Sequence, residues 1–287
     1  MTPPAIVIQG DARHLPLPDR SVDLIVTSPP YFGLRSYQDG GQHYAGQIGS
    51  EPTPREFLDA LWECTAEWCR VLKPEGSLWV NLGDKYSQRT QTRRSSHQPG
   101  IFPGKLPGSV WTIPTAPLTV PESLGVDHFA AFPIEWPLRI IRGWSPTGVC
   151  CACGQGRRPV TATSLIGGNP FTGRDYRRLA NGPTGGPERP MPGGANLTTI
   201  TGYVCACPTP NAPTTHAVIL DPFGGTGTTA LAAKALGRTG ISVDLSHDYT
   251  RLAAWRTNDP AELAKAMRVD KPPTQVDGQQ PLFEVTP

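Results

Sequence analysis

A chain of 287 residues is long enough for one large domain with an insertion, or for two modest ones, and can bury a sizeable core. Its 26 basic and 24 acidic residues leave a net charge of +2, so bulk charge does not point to nucleic acid. Apolar runs of only a handful of residues exclude a bilayer-spanning helix, and the N-terminus, MTPPAIVIQGD, has no basic region followed by an apolar stretch. A cytoplasmic protein is expected.

In chain order, AIVIQGDA (5–12) and VDLIVTS (22–28) read as two short buried strands. TPREFLDALWECTAEWCRVLKPEG predicts a helix with a capping box, Thr53 at the N-cap, Pro54 at N1 and Glu56 at N3. Its stripe of Phe57, Leu61, Cys64, Trp68 and Leu72 recurs at helical spacing, which makes Cys64 and Cys69 packing residues, and Pro74-Glu75-Gly76 ends it. SLWVNLGD (77–84) returns as a strand, and this alternation argues for a parallel sheet covered by helices.

From Lys85 to about Pro121 the pattern fades into Gly, Pro, Ser and Arg, as in a long functional loop. Residues 85–110 hold five basic residues and no acidic one, a local excess that suits phosphate contacts or a solvated surface. FAAFPIEWPLRIIRGW is helical from Ile134 onward. A second irregular region, 148–216, is rich in Gly and Pro and carries five of the seven cysteines, so it reads as an insertion. A strand, glycine loop, helix, strand and helix follow over 217–256. We therefore expect a domain over 1–258, interrupted by 148–216, and a mobile polar tail over 259–287.

Two stretches carry chemistry. In VILDPFGGTGTTALAAKALGRTGISVD, Gly225 and Gly227 lie between a strand and a helix, where missing side chains let a ligand approach the backbone N–H groups. Asp244 ends the next strand, 23 residues after Asp221, where a carboxylate can hold ribose hydroxyls. The run Gly225-Thr-Gly227-Thr-Thr-Ala230 also fits a dinucleotide fingerprint, which keeps a nicotinamide-dependent oxidoreductase open; no Lys stands where a P-loop needs one. The second stretch, Thr27-Ser28-Pro29-Pro30-Tyr31, stops a core strand at the ligand edge of the sheet. Prolines leave carbonyls without competing donors, the Ser28 hydroxyl is a further acceptor, and the Tyr31 ring is a stacking platform. Together they describe a pocket for a planar group bearing an amine.

TSPPY near the start with DPFGGTGTT near the end resembles the amino-group DNA methyltransferases in the permuted order of the β class. GDA (10–12), SVDLIVTSPPY, RVLKPEGSLWVNLGD, HFAAFP and GISVDLSHDY fall in that family's order, so the resemblance covers most of residues 5–258. It implies an α/β, Rossmann-like S-adenosylmethionine-dependent fold in permuted order with a Cys-bearing insertion. It also implies that Asp221, Phe223, Gly225, Gly227 and Thr228 line the methionine end of the cofactor, Asp244 its ribose and Asp11 its adenine. Ser28 to Tyr31 would activate the amine of a base flipped from double-stranded DNA. Within the family Ser-Pro-Pro-Tyr goes more with cytosine N4 and Asp-Pro-Pro-Tyr with adenine N6, so cytosine N4 is favoured and adenine N6 is the alternative. Such enzymes serve restriction-modification among other roles. A reading of another class is a zinc-containing DNA-binding protein without catalysis.

Cys150 and Cys153 have C-x-x-C spacing followed by Gly154, and Cys205 with Cys207 could close a four-thiolate zinc site, with Cys151 or His216 as substitute ligands; reduced thiols or a labile disulfide are the alternative. Arg157, Arg158, Arg174, Arg177 and Arg178 on such an arm would suit DNA contact. In the tail, Gln279–Phe283 (QQPLF) resembles the peptide that docks bacterial proteins on the replication sliding clamp.

Overall fold

The computed structural model describes residues 3–33, 38–39, 42–43, 46–82, 110–115, 117–125, 131–166, 195–205, 207–209 and 212–271. The chain divides into two compact units, the first of Met1–Gln88, Ile113–Gly156 and Ala212–Pro287, the second of Arg89–Thr112 and Arg157–Asn211. In chain order the strands are β1 (Ala5–Gln9), β2 (Val22–Thr27), β3 (Gln38–Asp39), β4 (Gln42–His43), β5 (Leu72–Val80), β6 (Val149–Cys150), β7 (Arg158–Ile166), β8 (Ala195–Val204), β9 (Thr214–Thr215), β10 (Val218–Asp221) and β11 (Thr239–Asp244). The helices are α1 (Pro54–Val71), α2 (Glu135–Trp144), α3 (Thr228–Ala235), α4 (His247–Asn258) and α5 (Pro260–Met267).

Five strands of the first unit form a parallel sheet in the order β1-β11-β10-β2-β5. Strand β2 is buried along its whole length, which a strand covered on both faces requires and which its sequence VDLIVT, apolar but for Asp23 and Thr27, encodes. On one face, Ile25, Leu220, Ile241 and Val243 pack with Cys64, Trp68 and Val71 of α1, each large side chain contributing about 1.5–3 kcal/mol by burial. On the other face lies α3, where Gly240 of β11 passes so close that an added Cβ would stand 2.5 Å from the Ala230 carbonyl oxygen.

Helix α1 forms the expected capping box. Thr53 Oγ1 accepts from the Glu56 N–H at 3.3 Å, and the Glu56 carboxylate accepts from the Thr53 N–H at 3.0 Å. Cys64 is fully buried and burial pushes its thiol up to about 12, in keeping with a packing role; Cys69, by contrast, is exposed, because its position falls off the buried stripe. The expected turn at 74–76 sits inside β5 as an irregularity, since Leu72 pairs with Val22 and Ser77 with Leu24. Lys73 in that bulge binds the buried Asp23 carboxylate at 2.6 Å, and Asp23 also accepts from the Val218 N–H at 2.8 Å.

Two expectations need correction. Regular structure does not end at 258: α5 begins at an Asp259 cap that accepts from the N–H groups of Ala261 and Glu262, and it buries Ala264 and Ala266 while packing on α3 and α4. Nor is 148–216 irregular throughout. In the second unit β7 and β8 pair as a long antiparallel hairpin, stabilised by β-branched residues such as Thr161, Thr163, Thr198 and Thr201. The ends of the region belong to the first unit, where β6 pairs with β9. The sliding-clamp peptide Gln279–Phe283, the basic run 85–109 and Arg174, Arg177 and Arg178 lie outside the described residues. Among the described residues no helix is long and apolar enough to cross a membrane.

Candidate active site

Because the sheet is parallel, β1, β2, β10 and β11 all end at one edge. The connection leaving β10 runs to β11, whereas that leaving β2 runs through α1 to β5 on the other side, so the chain reverses direction across the β10–β2 boundary. A crevice opens at such a switch point. Here it is a cavity of about 350 Å³ within the first unit.

From β1 the cavity is lined by Gly10, Asp11 and Ala12, from β2 by Ser28, Pro29, Pro30 and Tyr31, and from β10 by Pro222 to Thr226 and Thr228. Asp244 and Leu245 close it below α4, with Tyr249, while Asn81, Phe132 and the segment Gly46–Ile48 complete the wall. All four residues of Ser28–Tyr31 therefore meet Asp11, Phe223, Gly225, Thr228 and Asp244 in one space. Asp221 and Gly227 do not line it.

Asp221 lies fully buried beneath the floor. Its carboxylate accepts from Thr27 Oγ1 and Thr229 Oγ1, both at 2.8 Å, and from the Phe223 N–H at 3.1 Å. It thus ties the end of β2 to the turn after β10 and to α3. Burial raises its pKa to about 6, against the pull of those hydrogen bonds. The folded chain then holds this proton to a higher pH than the unfolded chain does. The stability it contributes is present in full below about pH 4 and lost as pH rises through 6. Melting curves should show this. Asp221→Asn, which cannot titrate, is expected to gain on the parent steadily between pH 4.5 and 7, whatever its offset at acid pH.

Gly227 caps α3 in the left-handed region at φ 72° and abuts Ala253 of α4, where a Cβ would stand 3.0 Å from the alanine methyl. Its neighbour Gly224 is tighter still, since a Cβ there would fall 1.8 Å from Ser242 Oγ. Gly225 is different: φ is 48° and an added Cβ would meet no protein atom within 4 Å. The turn is thus pinned from behind and bare toward the cavity. The Gly225 N–H donates to Asp244 Oδ2 at 2.8 Å, and the Ser246 N–H donates to Asp244 Oδ1 at 2.9 Å, which fixes the carboxylate at the mouth.

At the β2 end, the Asn81 N–H donates to the Thr27 carbonyl at 2.8 Å, and Ser28 Oγ donates to the Asn81 carbonyl at 3.3 Å. With its single proton so engaged, the hydroxyl keeps lone pairs free to accept. Phe223 lines the cavity and meets Trp68 edge-on at 6.0 Å, and Phe132 meets Trp136 likewise at 4.9 Å.

Asp11 is more committed than its expected role requires. Arg13 donates through Nε at 3.0 and 3.1 Å, through Nη2 at 2.6 Å and through its backbone N–H at 2.9 Å. Burial alone would raise this carboxyl, but the Arg13 bonds and charge outweigh it and hold the pKa below the usual range.

Buried Arg256 of α4 was not singled out by the sequence. Its Nη1 donates to Thr226 Oγ1 at 2.9 Å and Thr228 Oγ1 at 2.7 Å, and its Nε to Glu262 of α5 at 3.1 Å. Gln47, also unforeseen, is 7% exposed, and neither atom of its side-chain amide has a hydrogen-bond partner among the described residues. An unpaired buried amide costs about 1–3 kcal/mol.

The cysteines sit apart from this cavity's lining. In the first unit, Cys150 ends β6 and Cys153 follows in a turn closed by the Gly154 N–H on the Cys150 carbonyl at 2.9 Å. In the second, Cys205 and Cys207 follow β8 with their sulfurs 3.3 Å apart.

Residues 22–103 and 212–254 match a family model described as DNA methylase, two segments that contain both motif stretches. A Type II methyltransferase of Serratia marcescens, M.SmaI, is 28% identical over 274 residues, covering 87% of this chain and 89% of the relative. M.XycI, a Type II methyltransferase of Xanthomonas campestris pv. cyanopsidis, is 29% identical over 292 residues, covering 87% and 86%. Among solved structures, the cytosine-N4-specific PvuII DNA methyltransferase aligns over 93% of each chain at 14% identity and a TM-score of 0.37, too distant to bear on function. Over these spans the chain is similar to DNA methylases and to Type II methyltransferases.

Proposed function

We propose that this chain methylates the exocyclic amine of a base flipped out of double-stranded DNA, cytosine N4 in preference to adenine N6, with S-adenosylmethionine as donor. The observation that carries the reading is that Ser28–Tyr31 and the bare face of the Gly225 turn open into one cavity. Asp244, Phe223, Gly225 and Thr228 suit the cofactor, because the turn leaves space where a side chain would stand and the carboxylate at its mouth can accept from hydroxyls. When bound, S-adenosylmethionine supplies a methyl group on a positively charged sulfur.

The chain's own contribution is at the amine. An exocyclic base amine is a poor nucleophile because its lone pair is spread into the ring. Ser28 Oγ and the Pro29 carbonyl accept its hydrogens, which draws the nitrogen toward tetrahedral geometry and frees that pair. Tyr31 and Phe132 offer flat faces for the base, and stacking there repays part of the cost of leaving the duplex. With the donor bound, the freed lone pair would take the methyl group as its bond to sulfur breaks, and the amine nitrogen would give up a proton to solvent. Most of the acceleration comes from alignment and fixed dipoles.

The test is mass spectrometry of nucleosides from the DNA of a methylation-free bacterium expressing the chain, beside Tyr31→Ala. N4-methylcytosine present with the parent and at least tenfold lower with the variant is expected. N6-methyladenine instead would overturn the base assignment but keep the chemistry, and neither base with soluble protein present would sink the reading.

Structural zinc at Cys150, Cys153, Cys205 and Cys207 belongs to the same proposal. Cys205 and Cys207 lie 3.3 Å apart, near the roughly 3.8 Å of two thiolates on one tetrahedral ion, and the turn after Cys150 presents the first pair at knuckle-like spacing. Such a clip would order the arm carrying Arg157 and Arg158 for contact with DNA phosphates. Purified protein is expected to hold about one zinc per chain and to lose it in Cys150→Ser/Cys153→Ser; far less than one in the parent removes the metal.

A further inference from the structure

We infer that Gln47 reads the edge of a heteroaromatic ring on which an amine stands beside a ring nitrogen, by a paired contact through its side-chain amide. The inference rests on the methyltransferase reading and deepens it, because both bound partners of that reaction carry such an edge: the adenine of the cofactor and the target base.

Gln47 lines the cavity, is 93% buried by its 7% exposure, and has neither amide atom partnered among the described residues. Native chains seldom bury an amide in that state, so a ligand in the cavity is the natural partner. The backbone that carries it is fixed. The Gly33 N–H donates to the Gly49 carbonyl at 2.9 Å, and Gly49, at φ 96°, lies so close to Tyr31 that a Cβ would stand 3.0 Å from its carbonyl oxygen. Ile48 is sunk in the core with Ala12 and Leu15. A Cβ on Gly46 would come within 3.7 Å of Arg13 Nη2. The segment that bears Gln47 thus runs from beside Arg13 at Gly46 to beside Pro30 and Tyr31 at Gly49.

The carboxylate at that end is engaged. Asp11 is taken up by Arg13, which donates to both of its oxygens. A side-chain amide sets a donor beside an acceptor, the complement of an amine beside a ring nitrogen. That saturation of Asp11 is what makes Gln47 the better reader of an amine at this end of the cavity.

The experiment compares the parent with Gln47→Leu, which keeps the volume and removes both polar atoms. Binding of S-adenosylhomocysteine and of its purine-riboside analogue, in which a hydrogen replaces the amine, is measured by calorimetry, with single-turnover methyl transfer at saturating cofactor. The unliganded variant should melt no lower than the parent, since it sheds an unpaired amide. Affinity for S-adenosylhomocysteine falling about tenfold or more, with discrimination against the analogue that lacks the amine abolished, assigns the contact to the cofactor. Unchanged cofactor affinity with transfer slowed about tenfold or more assigns it to the target base. A folded variant with both quantities unchanged overturns the inference. A parent that binds no S-adenosylhomocysteine fails the function itself, a distinguishable result.

Discussion

Ser28→Ala is expected to lower single-turnover methyl transfer about 10²–10³-fold while leaving cofactor affinity and melting temperature close to the parent's. The asymmetry follows from the geometry. Ser28 Oγ donates to the Asn81 carbonyl in one long hydrogen bond of 3.3 Å, so little of the fold depends on it. What the substitution removes is an acceptor aimed where an amine must be drawn out of conjugation. The Pro29 carbonyl remains, and with it the alignment of the two reactants, so activity falls without vanishing. On the proposed reading cofactor affinity rests elsewhere, on the Gly225 turn, whose N–H holds Asp244. Rapid-quench assays on pre-bound DNA with calorimetry of the cofactor separate the two quantities. A folded Ser28→Ala chain with the parent's rate would remove Ser28 from the reaction.

The sheet was legible because its strands announce themselves: β2 is a run, apolar but for Asp23 and Thr27, stopped by Ser-Pro-Pro-Tyr, and the glycines after β10 sit between a strand and a helix. Once a parallel order is granted, the carboxyl ends must share an edge, and most of the residues singled out beforehand share the cavity there. Asp221 shows where that reasoning stops. Its place in the motif suggested contact with a ligand, whereas its side chain is spent below the floor, on Thr27 and Thr229. Spacing along a chain tells which residues arrive at an edge, not which way each one turns. Gln47 was invisible for a related reason, since an amide without a partner is a property of three-dimensional surroundings. Other misses were readable. Asp259-Pro260-Ala261-Glu262 is a cap, a first-turn proline and an acidic third position, hidden only by the polar composition around it. The threonine-rich strands of β7 and β8 were likewise masked by the glycines and prolines between them.

That overlooked helix carries the second large effect. Glu262→Ala is expected to destabilise the chain by about 3–5 kcal/mol, because it leaves the Arg256 guanidinium, 8% exposed, without its charge partner. For a chain of this length the melting temperature would fall by roughly 5–8 °C. Burial already presses Arg256 toward losing its proton, and the Glu262 contact opposes that. The consequence reaches the cavity, since the same guanidinium holds Thr226 and Thr228 of the glycine turn. Cofactor affinity should therefore drop with stability, although Glu262 does not line the cavity. The double variant Arg256→Met/Glu262→Leu separates the two consequences. It has no stranded charge and should recover most of the stability, yet it cannot hold the two threonines, so the cofactor should still bind weakly. Truncation makes the same point on the intact side chains: ending the chain after Asn258 should reproduce the loss, and ending it after Lys271 should not. If the shorter truncation melts like the full chain, α5 does not support the turn.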